Sequence, residues 1–115
     1  MLVLSLSRSM KKKKLGVLLS TAPLHPNSRT VSDLCATALA ADVDVYLYLI
    51  DEGVANIRDA RFLGLPAQGV KLFVCAYGCQ QHHIETGDLG PAVTLCGLVV
   101  LSNMINGCDR FVAFN

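Results

Sequence analysis

Five short apolar runs, each set off from the next by a helix-like or turn-rich segment, limit what this chain can fold into more than any other feature. Leu15 to Ser20 is almost continuously apolar, as expected of a strand covered on both faces, and Pro23 and Pro26 then hold an irregular loop. Asn27 or Ser28 can cap a helix in which Val31, Leu34, Cys35 and Ala38 recur at i, i+3, i+4 and i+7, giving one apolar stripe. Val43 to Ile50 alternates Val43, Val45, Leu47 and Leu49 with Asp44, Tyr46 and Tyr48, a period of two that predicts a second strand. Asp51, Glu52 and Gly53 end it, and Val54 to Phe62 reads as an irregular helix with a weak stripe. Val70 to Cys75 is a third strand, followed by a short helix from Tyr77 to His83. Ala92 to Cys96 gives a fourth strand, Leu98 to Ile105 a helix closed by Asn106 and Gly107, and Arg110 to Phe114 a fifth strand. This alternation implies an α/β fold, a mainly parallel five-stranded sheet with helices on both faces, because parallel connections cross over and do so right-handedly.

With 115 residues the chain has the length of one domain, so a site must be built on that sheet or at a subunit interface. Residues 14–115 are expected to form that domain, behind a flexible basic tail over residues 1–13, the lysine cluster Lys11 to Lys14 spanning the boundary. The apolar start, Met1 to Leu6, precedes the lysines, the reverse of a secretory signal, and no run approaches the roughly 18 uncharged apolar residues of a spanning helix. The sequence therefore predicts a cytoplasmic protein without a membrane partner. A net charge of +1 gives no electrostatic case for nucleic acid. Hydrophobic residues make up 52% and charged residues 17%, against averages of about 45–50% and about 25%, which favours self-association.

Chemistry is expected where the carboxyl end of the third strand turns into a helix, because ligands of parallel sheets meet that edge. The segment Val70-Lys71-Leu72-Phe73-Val74-Cys75-Ala76-Tyr77-Gly78-Cys79-Gln80-Gln81-His82-His83-Ile84 puts a thiol there. Backbone N–H groups at a helix start favour an anion, and the thiolate is the reactive form of cysteine. Such a sulfur can take the outer sulfur of a persulfide and yield it to another thiol, with neither a metal nor an organic cofactor. The set Cys35, Cys75, Cys79, Cys96 and Cys108 has no scaffold spacing and reads as reduced thiols, most of them packing groups. Cys79 can resolve a disulfide with Cys75 or simply pack. Cys96 ends a strand on the same edge, and His25 borders it from the first loop.

Gly69-Val70-Lys71-Leu72-Phe73-Val74-Cys75, a Gly97-led helix and the ending Asp109-Arg110-Phe111-Val112-Ala113-Phe114 resemble the DsrE/DsrF-like group of sulfur-relay proteins, which includes TusD and YchN. The resemblance runs from about Lys14 to Phe114. It implies a three-layer α/β/α subunit in homotrimers or homohexamers, Cys75 as the sulfur carrier, and donor and acceptor proteins as partners, a TusA-like carrier among them. YchN-like members have a second cysteine one position from Cys79. His82-His83 stands where the family tends to have a pair such as Arg-Gly.

A different class of function is open to the same residues. Cys75, Cys79, His82 and His83 are of zinc-ligand type, but only one of two adjacent histidines on a helix can face Cys79, and no second pair closes four ligands. The alternative is therefore a metal-binding module or an oligomeric adaptor with inert cysteines and solvent-facing histidines.

Overall fold

The computed structural model describes residues 12–115. Residues 1–11 of the expected basic tail lie outside the described residues. At Lys12 the chain is already engaged: its ammonium pairs with Asp42 at 3.0 Å, and the Lys13 carbonyl accepts the Asp44 N–H at 2.9 Å.

The described strands are β1 (Lys14–Leu19), β2 (Asp44–Leu49), β3 (Lys71–Cys75), β4 (Val93–Cys96) and β5 (Arg110–Phe114). They form one sheet in the order β4-β3-β2-β1-β5, and every pairing is parallel. The helices are α1 (Pro26–Ala40), α2 (Ala60–Leu63), α3 (Ala76–Gln81) and α4 (Leu98–Gly107), with 3-10 turns over Asp51–Arg58 and Pro66–Gln68. The predicted elements are therefore present, and the sheet is wholly parallel.

The period of two decides the layers. Val17, Leu19, Val45, Leu47, Leu49, Leu72 and Val74 share one face and are buried, with Val31, Cys35 and Ala38 of α1 in the same core. Tyr46, Phe73 and Lys14 share the other face, where they line a cavity of about 250 Å³ with Val100, Asn103 and Met104 of α4. A lysine on this face is stacked as well as solvated: Lys71 Nζ lies 5.0 Å from the Tyr46 ring centroid.

Three local predictions are corrected. The cap of α1 is His25, whose Nδ1 accepts the Asn27 N–H at 3.0 Å, and Pro26 takes the first helical position, where its missing N–H costs nothing. Ser28 is wholly buried inside the helix and bonds Asn56. The segment after β2 begins as a 3-10 helix at Asp51, earlier than expected, because Gly53 packs directly on the end of β1. A Cβ at Gly53 would lie 2.7 Å from the Leu19 carbonyl carbon. The histidine pair lies beyond the short helix after β3, which ends at Gln81, for the reason given below.

Cys35 is fully buried under α1, as the apolar stripe requires, and burial pushes its thiol up to about 12. A thiol whose native pKa is raised stabilises the fold fully below the unfolded value, near 9, and that contribution is lost as pH rises towards 12. The three-unit difference corresponds to about 4 kcal/mol. Denaturant titrations should show native stability falling between pH 9 and 12, and Cys35→Val should flatten that fall. An equally steep fall in the variant would place the alkaline sensitivity elsewhere.

Candidate functional site

Cys75 closes β3 and caps α3. Its backbone is extended, and its Sγ accepts the Gly78 N–H at 3.4 Å. The glycine is required by close packing, since a Cβ at Gly78 would approach Val54 Cγ1 to 2.9 Å. The loop after β2 is thus pressed against the turn that carries the thiol, and Cys75 is only 4% exposed in the single chain. Cys75 is expected at the carboxyl end of the third strand, the ligand edge of a parallel sheet. The structure keeps the edge and adds a lid of packed neighbours.

The helix stops where two histidines stand. His82 is the C-cap, and His83 takes the left-handed conformation, φ 54°, that glycine usually fills one residue later. The Ile84 N–H bonds the Cys79 carbonyl at 2.9 Å and the His83 N–H faces the Gln80 carbonyl at 3.4 Å, which is the Schellman closure. Both rings are exposed, and among the described residues no three His, Cys, Asp or Glu side chains converge as a metal-ligand set. Cys79, one turn beyond Cys75, is 1% exposed; burial raises its thiol, the neighbouring Cys75 adds to this, and Arg58 opposes it. His25 is occupied in capping α1.

The structure brings Cys96 to Cys75. The two are partners in the β3–β4 register, so the pleat points both side chains to the same face. Cys96 is half-buried on the edge strand, and its Sγ lies 3.9 Å from the Val74 carbonyl. Burial raises its thiol, while a hydrogen bond with Tyr48 works against the rise.

Tyr48 is the residue that sequence reasoning missed. It is wholly buried on β2, its hydroxyl donates to the Gly97 carbonyl at 3.0 Å, and the Cys96 and Cys75 thiols are its electrostatic neighbours. Burial raises this hydroxyl well above the ordinary tyrosine range, with Cys96 and then Cys75 adding to the effect, so it remains a neutral phenol. Its period-two position was legible, but the adjacency of β2, β3 and β4 was not. Cys35 and Cys108 stand apart from this cluster, Cys35 under α1 and Cys108 beside Gly16 and Phe111. All five cysteines are free thiols.

Four large apolar or aromatic side chains near these residues in sequence are exposed. Tyr77, Leu95, Leu98 and Val99 are 67%, 45%, 63% and 76% exposed, each within two residues of Cys75 or Cys96 in sequence or one turn along α4. No described helix is long and apolar enough to cross a membrane.

No curated protein matches the sequence. Among solved structures, the fold is similar to that of the ychN protein from E. coli, with TM-score 0.74 and 18% identity over 90% of this chain and 100% of that one. It is also similar to the conserved protein BT1422 from Bacteroides thetaiotaomicron, with TM-score 0.65 and 15% identity over 89% of this chain and 95% of that one. At such identities the likeness speaks for the fold. Residues 13–114, nearly the whole described chain, match the DsrE/DsrF-like family, and the chain belongs to that family.

Proposed function

We propose that this protein is a persulfide carrier: Cys75 accepts sulfane sulfur from a donor protein's persulfide and passes it to an acceptor thiol. Membership of the DsrE/DsrF-like family supports a sulfur-relay role at the level of the family. The observation that carries the reading to one residue is the position of Cys75, a thiol at the carboxyl end of a parallel strand with a backbone N–H directed at its sulfur. In the transfer, the attacking thiolate takes the outer sulfur, the donor cysteine leaves as a thiolate, and the acceptor later repeats the step on Cys75, so no cofactor is consumed. Cys79 serves as packing in this reading, because 1% exposure leaves it no approach of its own.

The setting is proposed to be cytoplasmic, where cysteines stay reduced and available for exchange. Partner proteins, a TusA-like carrier among them, and further copies of the chain in a trimer or hexamer would cover the apolar rim of Tyr77, Leu95, Leu98 and Val99. A sedimentation mass of one chain at micromolar concentration would remove the homo-oligomer from this proposal.

The test of the carrier is loading. After exposure to a low-molecular-weight persulfide and removal of excess, intact-mass spectrometry should find added sulfur on the wild type and on Cys35→Ser, and none on Cys75→Ser. Undiminished loading of Cys75→Ser would overturn the assignment and favour the adaptor reading, in which the cysteines are inert.

A further inference from the structure

We propose that Cys96 is a second sulfur station, which takes the outer sulfur from Cys75 within the same chain and presents it at the edge of the sheet. The inference rests on the carrier reading of Cys75 and adds an exit route to it.

The problem it answers is geometric. Cys75 is 4% exposed, beside a turn packed tightly enough that Gly78 has no room for a Cβ, so a sulfur held there is less open to a partner than one held on the less deeply buried Cys96. Cys96 is its register partner on β4, faces the same side of the sheet, lies on the edge strand and is less deeply buried. Neighbouring strands are about 4.8 Å apart, close enough for side chains on one face to react across the gap. The two sulfurs also share an electrostatic neighbour, Tyr48, whose hydroxyl is anchored on the Gly97 carbonyl, immediately after Cys96. Three strands thus hold two thiols and one phenol at a single spot, beside the exposed Leu98 and Val99 that a partner would cover.

The step balances without an outside reagent. Cys75 begins as Sγ–SH and Cys96 as a thiol. Cys96 gives up its proton and attacks the outer sulfur; the Cys96 Sγ–S bond forms as the Cys75 Sγ–S bond breaks. Cys75 leaves with the electron pair as a thiolate and takes up a proton, so that the products are a Cys75 thiol and a Cys96 persulfide. One sulfane sulfur is present before and after, and nothing is oxidised or reduced overall.

The experiment follows the sulfur with time. The full-length protein is pulsed with a low-molecular-weight persulfide, quenched with an alkylating reagent, and cleaved after Glu85, which separates Cys75 and Cys79 from Cys96 and Cys108. Fragment spectra then place the added sulfur. It should appear first on Cys75 and then on Cys96 in the wild type, and on neither in Cys75→Ser. In Cys96→Ser, and in Cys96→Ala as a second variant, sulfur should stay on Cys75 and discharge to a protein thiol acceptor about tenfold more slowly. Sulfur that remains on Cys75 in the wild type, with discharge unchanged in both Cys96 variants, would overturn the relay and leave the carrier standing. Loading of Cys96 at the wild-type level in Cys75→Ser would overturn it as well, since Cys96 would then be charged independently. Release of sulfide with a Cys75–Cys96 disulfide would show attack on the inner sulfur and contradict the transfer. No sulfur on Cys75 in any form would sink both proposals.

Discussion

Gly53→Ala should destabilise the protein by about 3 kcal/mol, read as a lowered urea midpoint with little change in slope. In an ordinary helical position the same change gains about 0.4–1 kcal/mol by restricting the unfolded chain, so the expected sign is reversed here. The reason is that the new methyl would meet backbone: it would sit 2.7 Å from the Leu19 carbonyl carbon and 3.1 Å from Ser20 Cα, and neither can rotate aside. Gly87→Ala is the control, because nothing lies within 4 Å of the added carbon, and it should be near neutral. A neutral Gly53→Ala would mean that the 3-10 segment can lift off β1 at little cost. The packing that covers Cys75 would then be looser than described.

Asn56→Ala is expected to cost about 3–5 kcal/mol, a large part of the roughly 5–15 kcal/mol that holds a domain of this size. Asn56 is wholly buried and does the work of three partners. Its Nδ2 donates to the Thr21 and Gly53 carbonyls, both at 2.9 Å, and its Oδ1 lies 2.7 Å from the Ser28 hydroxyl. Removing the amide takes a donor from the Thr21 and Gly53 carbonyls and leaves the Ser28 hydroxyl with only the Ala22 carbonyl, at 3.2 Å; a buried group left unpaired costs about 1–3 kcal/mol. The neighbourhood is already short of partners, since the Thr21 hydroxyl is buried with none. Ser28→Ala removes one of these bonds and should cost less than half as much. Equal losses in the two variants would show that the network is not centred on Asn56. Chemical denaturation of the three proteins settles the point.

Much of the architecture could be read from residue order, because period two and turn chemistry are local properties. Val43 to Ile50 and Arg110 to Phe114 were placed to within a residue of β2 and β5 by alternation and by the breakers around them. Capping was read less well. A histidine as N-cap and another as the left-handed residue of a helix end are minority choices, and only the surrounding hydrogen bonds reveal them. The irregular helix expected over Val54 to Phe62 is present, but its 3-10 form and its start at Asp51 were not legible, because they are set by tertiary contact with the end of β1 rather than by local propensities. For the site, the strand end at Cys75 was legible, but its depth was not, since that depends on which segment packs over it. The association of Cys75, Cys96 and Tyr48 was hidden for a further reason. Alternation assigns a side chain to a face, whereas strand order decides its neighbours, and no local pattern encodes the order β4-β3-β2.

The central claim is that the Cys75 sulfur can be reached and can react in the folded protein. The most direct measurement is the alkylation rate of each cysteine at neutral pH under native conditions, with Cys35 as the internal standard for a sealed thiol, 0% exposed and raised by burial. The account predicts that Cys75 reacts at least about tenfold faster than Cys35. Equal protection of the two until the protein is unfolded would contradict it.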